Sequence, residues 1–455
     1  MREEDTIAAI ATPFGTGGIG IIRISGDKSL EIARRIFRGK SENIEIKPYH
    51  LHYGEVIDTH DSSVLDEVLL SFMKKPTSYT KEDVVEINCH SGFLVLEKIL
   101  EVVLHQGARL AEPGEFTKRA FINGRIDLSQ AEAVIDVVTS KTDASLKIAT
   151  QQLEGSLSKE ISQFKESIVD LLIPIEASID FPEEDIEIID SHELLNKIDT
   201  LIENVSTLKE SYQEGRLYRE GISTIIIGKP NVGKSSLLNA LLKEKRAIVT
   251  PVPGTTRDLI EETISIKGFP LKIIDTAGIG ETRNLVEEEG IKLAKEKLAS
   301  ADLAILVIDG SQDMDQADFD IIEETTGKNK VIALNKIDCM TETSMKSFKA
   351  SLKDHSVVPI SALYSQGIEE LKETIYSIIV RQKIDHYPSV CITNARHNMA
   401  LENALENILL ARESIINRMS PEFTALDLQL SLKHLGEIIG ETRSEDILDM
   451  IFCKF

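Results

Sequence analysis

The chain has 455 residues, enough for about three domains with a real core, and its 42% hydrophobic and 28% charged residues are the proportions of a soluble globular protein. Its 51 basic and 75 acidic residues leave a net charge of −24 at pH 7, which excludes a chain that grips nucleic acid by overall charge; an RNA substrate would need a local basic surface or a basic partner. No apolar run approaches the roughly 18 residues of a bilayer span, Met1-Arg2-Glu3-Glu4-Asp5 lacks the features of a signal peptide, and Cys89, Cys339, Cys391 and Cys453 have no C-x-x-C spacing. A cytoplasmic chain with neither zinc site nor disulfide framework is expected.

Taken in order, residues 6–12, 19–25, 51–58, 65–73 and 83–89 read as strands, with helices near 27–37 and 92–106. This α+β unit ends near Phe121-Ile122-Asn123-Gly124. Within it Gly15-Thr16-Gly17-Gly18-Ile19-Gly20 satisfies G-x-G-x-x-G. The next residues, Ile21-Ile22-Arg23-Ile24, are strand-like, and a dinucleotide fingerprint needs a helix there to hold the pyrophosphate. A glycine-rich hairpin is the better reading. His90, following Cys89, reads as a satisfied loop histidine. From Ser129 to about Leu217 apolar residues recur at helical steps: Val134, Val137, Val138, then Leu146, Ala149, Leu153, then Ile161, Phe164, Ile168, Leu171, Ile175. Phe181-Pro182-Glu183-Glu184-Asp185 breaks the run with a turn. Residues 221–380 alternate strand and helix, as a doubly wound parallel sheet requires, and the pattern is helical again after Tyr387-Pro388. The simplest account is an N-terminal α+β domain (1–124) and one helical domain (125–219 and 381–455) interrupted by an inserted α/β P-loop domain (220–380).

The chemistry is concentrated in that insertion. Gly228-Lys229-Pro230-Asn231-Val232-Gly233-Lys234-Ser235 is a G-x-x-x-x-G-K-[ST] phosphate loop, set between the β-branched run Ile222 to Ile227 and the helix-forming stretch Ser236 to Lys243. Its glycines let backbone N–H groups wrap the α- and β-phosphates, Lys234 reaches the β- and γ-phosphates, and the Ser235 hydroxyl suits Mg²⁺. Strand-like Lys272 to Ile274 runs into Asp275-Thr276-Ala277-Gly278, where a carboxylate can hold Mg²⁺ through water and the Gly278 N–H can meet the γ-phosphate. Val331 to Leu334 lead into Asn335-Lys336-Ile337-Asp338. The Asp338 carboxylate can accept two N–H donors from guanine, whereas adenine would leave it unpaired. Val357-Val358-Pro359-Ile360 precede Ser361-Ala362-Leu363, whose N–H groups can contact the guanine carbonyl. Alone N-K-x-D is a weak pattern; in this order and spacing the set specifies a GTPase.

Further motifs run nearly the whole length: Asp5-Thr6-Ile7-Ala8-Ala9, Ala11-Thr12-Pro13, Ile22-Arg23-Ile24-Ser25-Gly26, Glu82-Asp83-Val84-Val85-Glu86, Arg109 with Pro113-Gly114-Glu115-Phe116, and Arg119-Ala120-Phe121-Ile122-Asn123. They continue with Leu128-Ser129-Gln130-Ala131-Glu132-Ala133, Ile179-Asp180-Phe181-Pro182 and Gly254-Thr255-Thr256-Arg257-Asp258. In these the chain resembles the bacterial MnmE (TrmE) family of tRNA-modification GTPases. The resemblance implies GTP hydrolysis coupled to placing a carboxymethylaminomethyl or aminomethyl group at C5 of the wobble uridine of certain tRNAs. It implies an FAD-dependent MnmG (GidA)-like partner, tRNA held mainly through that partner, a homodimer formed through the N-terminal domain, a heterotetramer with the partner, and no membrane. A one-carbon unit would come from 5-formyl- or methylene-tetrahydrofolate.

Site residues follow position by position. Many switch GTPases orient the attacking water with a Gln after the D-x-x-G segment; here Ile279 stands there. The family is instead similar to cation-activated GTPases, in which K⁺ replaces an arginine finger. That implies K⁺ ligands from Asn231, Thr250, Val252 and Thr255, and Thr256 beside Ser235 on Mg²⁺. The nucleotide contacts would come from Asn231, Val232, Gly233, Lys234, Ser235 and Ser236, and from the loop Thr250, Pro251, Val252, Pro253, Gly254, Thr255 and Thr256. Within Val286-Glu287-Glu288-Glu289-Gly290, register matches Glu287 to the glutamate that orients the water. Arg23, Glu86 and Arg125 match the folate positions, the arginines suited to folate carboxylates and the glutamate to the pterin edge; Arg125 stands where the family often has Lys. The family ends in a Cys implicated in the modification chemistry, but this chain ends Ile451-Phe452-Cys453-Lys454-Phe455. Either Cys453 is a displaced catalytic thiol or the thiol step is absent. The competing reading is a ribosome-assembly switch like Era or Der without folate chemistry. The acidic charge, the single GTPase segment and the large domain before it weigh against that.

Overall fold

The computed structural model describes residues 5–13, 15, 17–40, 45–181, 191–242, 262–274, 298, 301–379, 390–441, 448, 451–453 and 455. The N-terminal part carries β1 (Ile7–Ile10), β2 (Gly20–Ser25), α1 (Ser29–Ile36), β3 (Phe37–Gly39), β4 (Leu51–Ile57), β5 (Val64–Met73), β6 (Val84–Cys89), α2 (Phe93–His105), β7 (Arg109–Leu110) and α3 (Glu115–Ile122). Its sheet runs β3-β4-β5-β6-β2-β1-β7, antiparallel except where β7 joins β1. One face is buried, as β4 displays: His52, Gly54 and Val56 point inward while Leu51 and Tyr53 are exposed. Ile32 and Ile36 of α1 and Leu96 and Ile99 of α2 pack on Ile22, Ile24, Leu70 and Ile87 of the sheet.

The five expected strands and two helices form, with ends displaced by a few residues. β3, β7 and α3 were not anticipated. β3 and β7 are too short to carry a pattern and exist through pairing with distant residues, as when the Arg109 N–H donates to the Thr6 carbonyl at 2.8 Å. The glycine-rich stretch joins an antiparallel pair: β1 and β2 are in register Ile7 to Ser25, and the Ala11 N–H donates to the Ile21 carbonyl at 2.7 Å. The helix that a dinucleotide fingerprint requires is not there.

Helices follow: α4 (Leu128–Thr139), α5 (Asp143–Leu153), α6 (Ser156–Asp180), α7 (Ser191–Glu210) and α8 (Tyr212–Glu220). On α6 the expected stripe Ile161, Phe164, Ile168, Leu171 and Ile175 is buried. On α4 and α5 the expected stripe holds only in part: Ala149 is buried, but Val138 is 78% and Leu146 43% exposed, and Ala144, Ile148 and Gln152 are buried instead. At 3.6 residues per turn several adjacent stripes are compatible with one sequence, and the neighbour selects among them. Here the Thr142 hydroxyl, which caps α5, also donates to the Gly268 carbonyl at 2.7 Å. α6 ends at Asp180 with Phe181 as its C-cap; residues 182–185 of the expected turn lie outside the described residues.

The inserted portion carries β8 (Ile222–Ile227), α9 (Lys234–Leu242), β9 (Glu262–Ile266), β10 (Phe269–Ile274), β11 (Leu303–Asp309), α10 (Gln316–Glu324), β12 (Asn329–Asn335), a 3₁₀ turn (Ile337–Cys339), α11 (Glu342–Ser351), β13 (Val357–Pro359) and α12 (Ile368–Ile379). Its sheet order is β13-β12-β11-β8-β10-β9, parallel but for the edge strand β9. All seven residues of central β11 are buried, as a parallel strand covered on both faces requires. β8 lies where successive strands go to opposite sides, so its carboxyl end opens at the switch point that binds ligands in doubly wound sheets.

After the insertion, α13 (Ala395–Ile416) and α14 (Pro421–Ile439) return to the earlier helices. Lys209 pairs with Glu402 at 2.9 Å and Gln429 donates to Glu176 at 2.7 Å. The GTPase sheet rests on α8 through the Tyr218 ring stacked on Phe269, centroids 4.1 Å apart. By compactness the chain divides into two units. One unit joins the described residues up to Ile135 with those from Gly436 onward, and the other holds those from Asp136 to Leu435. The chain end belongs to the first because Phe452 packs against Phe121, ring centroids 6.4 Å apart. No helix among the described residues is long and apolar enough to cross a membrane.

Candidate nucleotide-binding site

The phosphate loop leaves β8 at Gly228, whose φ is 157°, and enters α9 after Gly233, whose φ is 101°. Neither position admits a side chain. A Cβ on Gly228 would lie 2.3 Å from the Val307 carbonyl oxygen, and one on Gly233 would lie 2.2 Å from Asn335 Nδ2. Asn231, between them, has φ 62° and is exposed. Lys234 Nζ donates back to the carbonyls of Gly228 at 2.9 Å and Lys229 at 2.8 Å, and burial holds its pKa below the usual lysine value. Ser235 and Ser236 are exposed on the first turn of α9. Lys229, an unspecified position of the motif, pins the loop by pairing with Asp315 at 2.9 Å and Asp318 at 2.8 Å around the N-cap of α10.

Asn335 ends β12 and is only 3% exposed. Its Nδ2 donates to the Val232 carbonyl at 2.8 Å, and its Oδ1 accepts the Ala362 N–H at 3.0 Å. It is therefore a strut between the phosphate loop and the Ser361-Ala362-Leu363 turn. Lys336, at φ 64°, pairs with Asp309 at 2.6 Å. Asp338 accepts from the Ser361 hydroxyl at 2.6 Å, and this bond is foremost in holding its carboxyl below the usual range. Thus Ser361 orients the base-reading carboxylate, and the Ala362 amide already serves Asn335. Leu363 stands exposed beyond them. The sequence motif signalled these residues but not the strut, which spans 103 residues. Thr250, Pro251, Val252, Pro253, Gly254, Thr255, Thr256, Asp275, Thr276, Ala277, Gly278 and Glu287 lie outside the described residues.

In the N-terminal unit Arg23 and Glu86 face each other across β2 and β6 and pair at 2.7 Å. The Arg23 guanidinium lies 5.3 Å from the centre of the Tyr79 ring, and that of Arg125 lies 4.4 Å from the same ring. Phe116 also approaches Arg23, at 5.5 Å. So Arg23, Glu86 and Arg125 come together around Tyr79, an organiser that no sequence pattern marked. Nearby, Arg119 joins Asp5, Glu82 and Glu115, and Arg109 joins Asp5 and Glu115. His90 is paired with Asp66 at 2.7 Å, as befits a satisfied loop histidine.

None of the four cysteines is disulfide-bonded. Burial pushes the Cys89 thiol up to about 11 and that of Cys391 to about 12, so neither is a nucleophile at neutral pH. Cys453 is exposed, next to the buried Phe452, whose carbonyl oxygen would lie 2.4 Å from a Cβ on Gly114. Among the described residues no three His, Cys, Asp or Glu side chains form a metal cluster. A Mg²⁺ site would be built on the Ser235 hydroxyl with residues outside the described set.

Comparison with known proteins agrees with this geometry. The family model described as "GTP-binding protein TrmE N-terminus" matches residues 6–125, and that described as "MnmE helical domain" matches residues 128–455. The chain is 50% identical over 453 residues to the tRNA modification GTPase MnmE of Thermoanaerobacter pseudethanolicus, covering 99% of this chain and 98% of the relative. It is 48% identical to that of Acetivibrio thermocellus over 455 residues, covering 100% and 99%. It is also 48% identical to that of Clostridioides difficile over 458 residues, again covering 100% and 99%. With matches spanning its whole length, the chain belongs to the MnmE (TrmE) family of tRNA modification GTPases.

Proposed function

We propose that this protein couples K⁺-dependent GTP hydrolysis to addition of a carboxymethylaminomethyl or aminomethyl group at C5 of the wobble uridine of certain tRNAs, together with an FAD-dependent MnmG-like partner. The observation that carries the nucleotide part is the Asn335 strut, which joins a loop shaped for phosphates to a turn that orients Asp338 for guanine. Lys234, held by two neutral carbonyls in a half-buried place, gains charged acceptors when a triphosphate enters. Ser235 and Thr256 hold Mg²⁺, which neutralises charge on the phosphates. Asn231, Thr250, Val252 and Thr255 hold K⁺, and Glu287 orients the attacking water.

Arg23, Glu86 and Arg125 bind the 5-formyl- or methylene-tetrahydrofolate. Their convergence on Tyr79 supports that reading, since a planar ring between guanidinium groups suits a flat, anionic ligand. Cys453 is the candidate thiol, its exposure being consistent with reaction at the chain end. Functional limits of 1–124, 125–219, 220–380 and 381–455 separate folate binding and dimer formation, helical scaffold and GTPase. A homodimer that combines with the partner into a heterotetramer in the cytoplasm completes the proposal, with the tRNA held mainly through the partner, as the −24 charge favours.

Nucleoside analysis of tRNA from a strain lacking this chain tests the reading. Loss of the wobble-uridine modification is expected, and an unchanged nucleoside profile would refute it. Turnover in K⁺ well above that in Na⁺ at matched ionic strength is the corresponding result for the cation; equal rates would remove it. Unchanged modification by a Cys453→Ser variant would remove the thiol role.

A further inference from the structure

Where the helical elements meet the side of the GTPase sheet formed by β10, within one compact unit, lies a cavity of about 230 Å³. Its wall carries Lys141 from the turn between α4 and α5, Arg219 from the end of α8, Lys272 from β10, and one carboxylate, Asp136. Arg219 spends its Nε on Asp136 at 2.7 Å, which neutralises that acid. Lys141 and Lys272 then remain as a local positive excess in a chain whose net charge is −24. Neither has an ion-pair partner among the described residues. The Arg109–Arg119 cluster, by contrast, is matched by three carboxylates. Two lysines left facing one concavity, with Ser140 and Ser145 hydroxyls beside them, are arranged as an anion receptor.

We propose that this cavity binds a small oxyanion, a carboxylate or phosphate monoester, clasped by Lys141, Lys272 and the η nitrogens of Arg219. Its size limits the ligand: sites for drug-sized molecules occupy roughly 300–1,000 Å³, so a triphosphate nucleotide is too large. The placement gives the ligand leverage. It bridges the helical elements and β10, the strand that runs on in sequence to Asp275-Thr276-Ala277-Gly278.

The test is calorimetric titration of the full chain, its phosphate loop first saturated with a non-hydrolysable GTP analogue and Mg²⁺ so that the α-, β- and γ-phosphate positions are filled. Inorganic phosphate is titrated in one arm and malonate in another, at constant ionic strength. Saturable binding of one equivalent is expected in at least one arm, and the stronger arm identifies the source of the oxyanion. Lys141→Glu and Lys272→Ala should each weaken it by about tenfold or more, the loss of one charge-assisted contact. Lys267→Ala, which removes another lysine beside the same strand, should leave it unchanged, and retained GDP binding verifies that each variant is folded. Absence of saturable binding up to roughly 10 mM in both arms, or equal affinity in Lys141→Glu, Lys272→Ala and the unaltered chain, would overturn the proposal without touching the GTPase reading.

Discussion

Replacing Asn335 by Ala removes a side chain that joins the phosphate loop to the base-reading turn. Two hydrogen bonds disappear, to the Val232 carbonyl at 2.8 Å and from the Ala362 N–H at 3.0 Å, and both partners are backbone groups in a buried place. A buried group left unpaired costs about 1–3 kcal/mol. Some recovery follows if water enters the space, so a stability loss of roughly 2–4 kcal/mol is expected for the two together. Nucleotide binding suffers as well, because each loop must now be ordered by the ligand itself. A weakening of about 10- to 100-fold corresponds to roughly 1.4–2.8 kcal/mol of that ordering cost. Urea unfolding and titration with a fluorescent GDP analogue read the two effects separately. Asn335→Asp provides the internal check. It keeps the acceptor for Ala362 but loses the donor to Val232 and buries a charge, so it should be at least as damaging. An Asn335→Ala protein with an unaltered unfolding midpoint and GDP affinity within threefold of the parent would refute the strut.

Gly233→Ala should lower stability by about 1–3 kcal/mol from its backbone conformation alone and displace Asn335 besides, reducing GDP affinity at least tenfold, whereas Gly327→Ala, where a Cβ meets nothing within 4 Å, should lose only the conformational share. Asp338→Asn should weaken GTP by about 100-fold or more and strengthen xanthosine triphosphate, read by competition, since the amide N–H opposes guanine's 2-amino donor but can donate to xanthine's 2-oxo group. Acid sensitivity should arise in the N-terminal unit. Burial opposes ionisation of Glu115, but Arg109, the Glu112 amide and Arg119 outweigh it and hold its carboxyl below the usual range; Asp5 is likewise depressed, burial being outweighed by Arg109 and Arg119. Such carboxylates stabilise fully above about pH 5 and lose that contribution as pH falls through their lowered values. Urea midpoints measured between pH 3 and 6 should fall on the acid side, and Glu115→Gln should flatten that fall.

Much of this protein was legible in one dimension because its determinants are local. A phosphate loop needs glycines at set places between a strand and a helix, and Gly228 and Gly233 with their positive φ occupy those places. The buried runs of β8, β11 and β12 announce a parallel sheet, and the alternation along β4 announces one with a solvent face. The hairpin around Gly15 to Gly20 was likewise readable, since Ile21 to Ile24 could not open a helix. Less legible were the faces of α4 and α5, where Val138 and Leu146 turned outward, because a helical repeat states that a stripe exists but not which neighbour it meets.

By itself, then, the sequence determined the chain's family, its inserted GTPase architecture and the kinds of residue that meet phosphate and guanine, all of which follow from short-range order along the chain. Only the tertiary structure decided that Asn335 ties two loops, that Lys229 is fastened to Asp315 and Asp318, that Arg23 and Arg125 share Tyr79, and that Phe452 carries the chain end onto Phe121. These contacts join residues tens to hundreds of positions apart. Their energies depend on burial and mutual distance, quantities that do not exist until the chain has closed on itself.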